Sequence, residues 1–355
     1  MRKLASIQKV VDVQPIEGAD SIEVATVLGW HCVIKKGDLK AGEMCCYMEV
    51  DSLLPPIPEF EFMAKNGIKK SYIDGKEYAG YRLRTIRLRG QISQGLAMPL
   101  SILKGKKFST DKRENPIYEL AEGDDVSDML GIVKYEPLLP AMLSGEAKGA
   151  FPANIPKTDE TRIQAVPNIL NKYNKIQFYV TEKLDGGSCT IFLKDGELNV
   201  CSRNLNLKES NDNTMWKLAK ELNLKEKLEK AGKNMALQGE VVGSGINGNK
   251  LKMNGHKIYF FSIYDIDKGI YLGFNEFNDM CKSLGVKTVP ILEYKYTLPN
   301  TVDELVKFAT RKSVMNKEIW AEGIVLRPLE EMHDEDLGRL SFKCINPEYL
   351  ISNGE

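Results

Sequence analysis

The sequence lacks several features that would define its class at once. No apolar run approaches the roughly 18 residues that a membrane-spanning helix needs, and Met1-Arg2-Lys3-Leu4 leads straight into alternating sequence without a signal-peptide core. The seven cysteines are an odd number and include no CxxC pair, which argues against a disulfide framework or a zinc site. We therefore expect free thiols and an intracellular protein, cytoplasmic or nuclear, without a membrane partner.

The chain also lacks net charge, because 49 Lys and Arg residues balance 49 Asp and Glu residues. Any nucleic-acid binding must therefore use local basic patches. The three histidines show no ligand spacing. What is present is a globular composition, 43% hydrophobic and 28% charged. A length of 355 residues predicts two domains.

Short strands separated by frequent turns characterise the N-terminal part. Residues 22–27 alternate apolar and polar side chains, and residues 45–50 are rich in apolar ones. Several such strands up to residue 100 predict an OB-like β-barrel, to which we assign residues 1–134. Five prolines between residues 137 and 167 mark a connector, assigned to residues 135–165.

Residues 166–355 mix strand and helix patterns. Strand patterns up to residue 202 precede an amphipathic helix near residues 213–230, with Leu218 and Leu222 on its apolar face. Further helices are expected near residues 274–284 and 302–312, before closing strands. The predicted fold class is α+β, with antiparallel sheets flanked by helices in this second domain.

The strongest chemical signal is the string Lys183-Leu184-Asp185-Gly186, directly after an apolar strand pattern. A lysine at a strand end is usually a solvated charge. A lysine beside a metal-bound phosphate can instead lose its proton and attack phosphorus as an amine. The string alone does not decide between these two interpretations.

Four further strings place charged residues in or next to apolar strands. Alone, each is typical of an edge strand whose charge faces solvent. Together, and in this order after Lys183, they indicate one shared site. They are Ser202-Arg203-Asn204, residues 238–243 with Glu240, residues 322–327 with Glu322, and residues 341–345 with Lys343.

This ordered set resembles the motifs of the covalent nucleotidyltransferases, which include ATP-dependent DNA and RNA ligases and mRNA capping enzymes. The match spans about residues 162–346 and includes residues 258–265, which are similar to the family's aromatic strand. DNA ligases and capping enzymes carry an OB domain after the last motif, but only residues 344–355 follow Lys343. Here the barrel comes first, as in a family of RNA ligases that join 3′-OH and 5′-phosphate ends. Residues 87–95 and 157–164 resemble that family's hallmarks.

The resemblance implies an ATP-dependent RNA ligase for RNA repair, with RNA as partner and Mg²⁺ or Mn²⁺ as metal. Lys183 would attack the α-phosphate of ATP, form lysyl-AMP and pass the AMP to an RNA 5′-phosphate, from which a 3′-OH displaces it. Lys343 would neutralise the α-phosphate. Asp185, Glu240 and Glu322 would hold the metal, partly through water. The predicted catalytic residues are Lys183, Lys343, Glu240 and Glu322.

The resemblance also implies a nucleotide pocket. Strand alternation lets only one of Phe260 and Phe261 stack on adenine, and we favour Phe260. Val325 or Ile324 would cover the other face of the base. The remaining nucleotide contacts that the resemblance implies are Arg203 and Glu240 at the ribose, the side chain or backbone of Glu182 at the adenine edge, and Arg162 and Arg327 at the phosphates.

Four arginines lie within residues 82–89 of the barrel, and a turn or bulge is needed for them to converge. We expect Arg87 and Arg89 to contact the RNA backbone, with Tyr81 or Trp30 as stacking platforms. A solvated edge strand is the alternative.

Two other functions remain open at this stage: a DNA-nick ligase of the same superfamily, and a catalytically silent RNA-binding module. The first would differ in accepting a DNA strand at the 3′-OH side, where RNA carries a 2′-OH. Against the second stand the intact Lys183, Glu240, Glu322 and Lys343. We expect a monomer.

Overall fold

A computed structural model describes residues 2–73, 76–103, 120–136, 146–194 and 196–355. These residues form two compact units. The first comprises the described residues up to 136 with Gln164–Pro167 and Leu350–Glu355, and the second comprises residues 146–163 and Asn168–Tyr349. The connector expected over residues 135–165 therefore contributes to both units, and its residues 137–145 lie outside the described ranges.

The first unit consists mainly of β-strands. They are β1 (Ala5–Pro15), β2 (Ile22–Val27), β3 (Trp30–Lys35), β4 (Met44–Met48), β5 (Ser52–Leu54), β6 (Lys69–Ile73), β7 (Lys76–Arg82), β8 (Ile86–Leu88), β9 (Gln91–Ser93), β10 (Leu96–Pro99) and β11 (Val133–Lys134). Short 3₁₀ helices cover Pro58–Asn66 and Leu100–Leu103.

These strands pair antiparallel in two sheets and a hairpin. One sheet has the order β10-β4-β1-β2-β3, the other β11-β5-β7-β6, and β8 and β9 form the hairpin. Alternation places Ile7 and Met48 in one buried cluster and Val10 and Tyr47 in another, so the strands bury apolar side chains on both sides.

The second unit contains the remaining elements, of which the final helix continues into the first unit from Leu350 on. They are β12 (Ala147–Ala150), β13 (Thr161–Arg162), α1 (Asn168–Lys172), β14 (Gln177–Lys183), β15 (Gly187–Lys194), β16 (Glu197–Cys201), β17 (Leu205–Leu207), α2 (Thr214–Glu221), α3 (Leu224–Ala231), β18 (Met235–Gly243), β19 (His256–Asp265), β20 (Ile270–Tyr271), α4 (Phe274–Leu284), β21 (Ile291–Thr297), α5 (Val302–Ala309), β22 (Gly323–Pro328), β23 (His333–Asp334), β24 (Gly338–Arg339), β25 (Phe342–Ile345) and α6 (Pro347–Asn353). Single 3₁₀ turns cover Ile163–Ala165 and Asn247–Asn249.

Two sheets dominate this unit. The seven-stranded one, here the large sheet, has the order β12-β17-β16-β15-β18-β19-β20. The five-stranded one, here the lysine sheet, has the order β13-β25-β22-β14-β21, in which only β13 and β25 are parallel. One face of the large sheet packs against α2, α3 and α4 through Leu237, Phe260, Trp216, Leu228 and Phe277.

The helix expected over residues 213–230 is two helices. The side chain of Asn213 caps α2 by accepting hydrogen bonds from the backbone nitrogens of Met215 and Trp216. Asn223 then adopts a left-handed conformation with φ of 51°, which ends the first helix and redirects the second. No helix in the described ranges is long and apolar enough to cross a membrane.

Candidate active site

Lys183 and Glu322 meet at one end of the lysine sheet. Lys183 is the last residue of β14 and pairs with Gly323 of β22, so Glu322 directly precedes its strand partner. The Lys183 Nζ lies 2.7 Å from the Glu322 Oε2. Burial lowers the pKa of Lys183, but the carboxylates of Glu322, Glu240 and Asp185 outweigh it and raise that pKa.

Gly186 brings the lysine motif against the large sheet. A Cβ at this position would lie 2.3 Å from the carbonyl oxygen of Val241, which explains the glycine of the motif. The close approach lets the Gly186 nitrogen donate to the Glu240 Oε1 at 3.1 Å. Burial raises the pKa of Glu240 to about 8. The positive charge of Lys183 opposes this increase, and the negative charges of Glu322 and Asp185 add to it.

Asp185 is held by residues that the sequence analysis did not assign. The Tyr349 hydroxyl donates to its Oδ2, and the Lys250 Nζ lies 3.1 Å from the same oxygen. The Asn247 Nδ2 donates to its Oδ1 at 3.0 Å. Asn247 and Lys250 lie in and just after a Gly-rich stretch that could have suggested a loop over the site, whereas nothing in the sequence points to Tyr349.

The three carboxylates form a donor set that fits a hydrated divalent cation. Among the described residues, no three His, Cys, Asp or Glu side chains are close enough to ligate a metal directly. Mg²⁺ usually keeps several waters and takes only one or two carboxylates. Burial raises the pKa of Glu322 as well as that of Glu240, so a nearby cation would stabilise both as carboxylates.

Lys343 provides the second cationic group. It pairs with Val325 of β22 on one side and with Arg162 of β13 on the other. Because paired residues share a face, and Val325 lies two residues from the partner of Lys183, all four side chains share one face of the lysine sheet. Burial, reinforced by Lys183 and Arg162, lowers the pKa of Lys343 to about 7. Crowded cations of this kind suit a phosphate.

Arg203 contacts residues 157–164, the segment that resembles a hallmark of the RNA ligase family. Its guanidinium binds both carboxylate oxygens of Asp159, at 2.8 and 3.0 Å. In the same segment, the hydroxyls of Thr158 and Ser188 lie 3.2 Å apart, and Ser188 pairs with Glu240. Residues 157–162 therefore line the same site as the lysine motif.

Phe260 was favoured as the adenine-stacking ring, and this is wrong. Its side chain is fully buried in the core beneath α2–α4. Phe261 instead packs beside Leu184 and lies next to the Arg327 guanidinium. The cause is a bulge: Gly239 pairs with Phe260 and Gln238 with Ser262, which leaves Phe261 as the extra residue.

Two further side chains with predicted nucleotide contacts are bound by protein groups instead, which leaves only the backbone of Glu182 for the predicted contact at the adenine edge. Glu182 is buried on the other face of the lysine sheet, where it accepts hydrogen bonds from the Ser313 hydroxyl and the Val314 nitrogen. Arg327 is 2% exposed and forms an ion pair of 2.7 Å with Glu160. Both face partners that lie far away in sequence, so their motif positions did not reveal these roles.

Arg87 and Arg89 lie on an exposed hairpin of the first unit. Positive φ angles of 49° at Arg89 and 83° at Gly90 form the two-residue turn between β8 and β9. The Arg87 Nη1 donates to the Gly90 carbonyl at 3.0 Å. The stacking platforms proposed nearby are wrong, because Trp30 and Tyr81 are buried.

Comparisons with known proteins bear on both units. A family model described as an OB-fold domain matches residues 4–100, and one described as RNA ligase matches residues 176–345. A comparison with curated protein sequences gives no significant match.

Solved structures of Naegleria gruberi RNA ligase are similar over nearly the whole chain. A mutant with AMP and Mn is 39% identical with a TM-score of 0.84, and the match covers 98% of each chain. A mutant with ATP and Mn is 38% identical, also with a TM-score of 0.84 and 98% of each chain covered. The ligase with PPi is 39% identical with a TM-score of 0.82, covering 99% of this chain and 98% of the other.

The fold and site define a nucleotidyltransferase domain joined to an OB-fold domain. The chain belongs to the RNA ligase family. The predicted fold class and the predicted RNA ligase activity are confirmed.

Proposed function

We propose that the chain seals RNA 3′-OH and 5′-phosphate ends with ATP, through AMP bound covalently to Lys183, and that it serves RNA repair. The observation that carries the proposal is the convergence of Lys183, Glu240, Glu322 and Lys343 in one site. Solved relatives that hold ATP and Mn, AMP and Mn, or PPi support ATP and a divalent cation as its cofactors.

In the first step, the Lys183 Nζ attacks the α-phosphorus of ATP. The Lys183 ammonium first gives up one proton to solvent, and the nitrogen gives up a second as the nitrogen–phosphorus bond forms. The bond to the bridging oxygen breaks, and pyrophosphate leaves with the bonding electrons. Glu322 holds the Nζ in place through its Oε2. Lys343 and Arg162 neutralise the phosphate oxygens, which stabilises the charge that develops in the transition state.

Asp185, Glu240 and Glu322 would hold a Mg²⁺ or Mn²⁺, which would supply positive charge against the phosphate and would favour the neutral amine of Lys183. Arg203 and Glu240 orient the ribose. Phe261 and Val325 cover the two faces of the base.

In the later steps the RNA 5′-phosphate takes AMP from Lys183, and a 3′-OH displaces AMP to form the phosphodiester. Arg87 and Arg89 contact the RNA backbone from their exposed hairpin. A single chain carries every motif residue, so the proposal requires only a monomer. Seven buried thiols support an intracellular location, in cytoplasm or nucleus.

The test is incubation with α-labelled ATP and Mg²⁺ or Mn²⁺, for the wild type and Lys183→Ala, with labelled GTP in parallel. We expect an AMP adduct in the wild type alone. Nicked duplexes whose 3′-OH strand is RNA or DNA then report sealing. Preference for the DNA strand would contradict the RNA assignment, and the absence of any adduct from protein shown to be free of AMP would contradict the catalytic one.

A further inference from the structure

Gln238 is a buried amide that the proposed chemistry does not use. It lies in β18 and its side chain is fully buried. Its Nε2 donates to the backbone carbonyl of Pro156 at 2.8 Å. Its Oε1 accepts no hydrogen bond from any residue in the described ranges.

The orientation of this amide is fixed by its partner. A backbone carbonyl can only accept, so the NH₂ group of Gln238 must face Pro156. Rotating the amide by half a turn would place two oxygens against each other and lose the hydrogen bond. The site therefore presents a fixed acceptor, and buried acceptors are rarely left unpaired in folded proteins.

Gln238 lies at the wall of a cavity that Phe261 also lines. The cavity has a volume of about 210 Å³ and is lined by Gln238 together with Phe261, Thr158 and Tyr271. Two other polar groups at its wall are engaged, since the Ser262 hydroxyl binds Arg339 at 3.0 Å and Glu160 pairs with Arg327.

The spacing along β18 suits a nucleoside. Gln238 and Glu240 are two residues apart and face the same side of the strand, since they pair with Thr190 and Ser188 of β15. Two residues of a strand span roughly 6.6 Å. If Glu240 contacts the ribose, the base extends beside Phe261 toward Gln238.

We propose that the Gln238 Oε1 accepts a hydrogen bond from the exocyclic amino group of adenine and thereby selects ATP over GTP. The inference rests on the proposed function. Adenine presents an amino donor at its six-position, whereas guanine presents a carbonyl oxygen there. A fixed acceptor pairs with the first and repels the second, and sites with buried polar groups reject analogues that leave those groups unpaired.

The experiment compares ATP with purine riboside triphosphate, which lacks only the amino group. The full chain is mixed with each nucleotide and Mn²⁺, and the rate of Lys183 adduct formation is measured under subsaturating conditions. We expect the wild type to prefer ATP about tenfold, the effect of one buried hydrogen bond, and to form no adduct with GTP. Gln238→Met keeps the length of the side chain but removes the acceptor. In this variant the rate of adduct formation with ATP should fall until the ratio of the ATP rate to the purine riboside triphosphate rate approaches one.

Thr190→Val is the matched control. Thr190 pairs with Gln238, is equally buried, and has an unpaired hydroxyl among the described residues, but it does not line the cavity. This variant should keep the wild-type ratio, so a general loss of packing is separated from loss of the acceptor.

Two results would overturn this inference but not the proposed function. One is an equal rate with ATP and purine riboside triphosphate in the wild type, and the other is an unchanged ratio of these two rates in Gln238→Met. The first needs no variant and holds even if Gln238→Met fails to fold. The absence of an adduct with every nucleotide in the wild type would overturn the proposed function and this inference with it.

Discussion

The hydroxyl of Tyr349 donates a hydrogen bond to Asp185, the carboxylate of the lysine motif, from a helix that begins at Pro347, shortly after Lys343. Lys250 lies 5.2 Å from the centre of the same ring and 3.1 Å from the Asp185 Oδ2. The orientation of this carboxylate therefore depends on residues outside the motifs.

Replacing Tyr349 with Phe should free Asp185 to rotate. We expect adduct formation to slow about tenfold, consistent with loss of one hydrogen bond to a charged group, and more Mn²⁺ to be needed for half-maximal rate. The measurement is the adduct rate against Mn²⁺ concentration. Tyr173→Phe is the control, because Tyr173 donates to Asp334 in the same way and Asp334 is not among the predicted site residues. An unchanged Mn²⁺ dependence in Tyr349→Phe would argue against the orienting role.

Gly186→Ala should disrupt the contact between the two sheets of the second unit. The new Cβ would meet the Val241 carbonyl at 2.3 Å, and overpacking of this kind costs about 1–3 kcal/mol. Thermal unfolding and adduct formation measure the effect, and both should fall. The neighbouring Gly187→Ala is the control, because its nearest contact would be an ordinary 3.5 Å to Met215. Equal behaviour of the two variants would contradict the explanation.

The two ion pairs formed by Arg327 and Arg203 should respond differently to mutation. Arg327→Met leaves Glu160, which is 14% exposed, without its ion-pair partner, and breaking a largely buried pair costs about 3–5 kcal/mol of unfolding free energy. Arg203→Ala removes a half-exposed pair with Asp159 and should cost less than about 1 kcal/mol while slowing adduct formation. Urea unfolding and the adduct assay separate these outcomes. A stable Arg327→Met variant with a raised KM for ATP would restore Arg327 as a nucleotide contact.

Asp334 should make stability depend on acidity. Burial opposes its charge, but Lys172, Tyr173 and the nitrogens of Leu337 and Asp336 outweigh burial and hold the pKa well below its usual range. A carboxyl with a lowered folded-state pKa stabilises the fold above the unfolded pKa of about 3.9 and loses that contribution as the pH falls further. Asp334→Asn should therefore be less stable than the wild type at pH 7, with a smaller difference at pH 3. Urea unfolding at both pH values checks this, and a constant difference would contradict it.

The motif residues could be assigned from the sequence because their strands place them. Lys183 and Glu322 meet through regular antiparallel register, and alternation correctly indicates that only one of Phe260 and Phe261 faces the cleft. It could not say which one. Side chains two residues apart face the same side of a strand. Alternation counted forward from the core residue Ile258 therefore places Phe260 in the core, whereas alternation counted back from the core residue Ile263 places it in the cleft. The bulge between them has no clear signature in the sequence.

Contacts between residues distant in sequence also could not be predicted. Arg327 ends an apolar strand in a motif that carries catalytic charge, so a phosphate contact was a natural prediction. Its actual partner, Glu160, belongs to the segment before the lysine motif, and nothing in the local pattern of either residue joins them. Nothing in the local pattern around Tyr349 indicates its partner Asp185 either, because the two residues lie far apart in the sequence.

The strand order of the lysine sheet has a consequence for the protein during its synthesis. Strand β14, which carries Lys183, is flanked by β22 and β21, and β13, which carries Arg162, lies at the edge of the sheet beside β25. Every neighbour of these two strands leaves the ribosome more than a hundred residues later. The nucleophile is therefore made long before Glu322 and Lys343, and a nascent chain cannot assemble this sheet until about residue 345 has emerged. Pairings across such sequence distances form slowly, so we expect the newly made chain to become competent for adenylylation only after β25 has been synthesised.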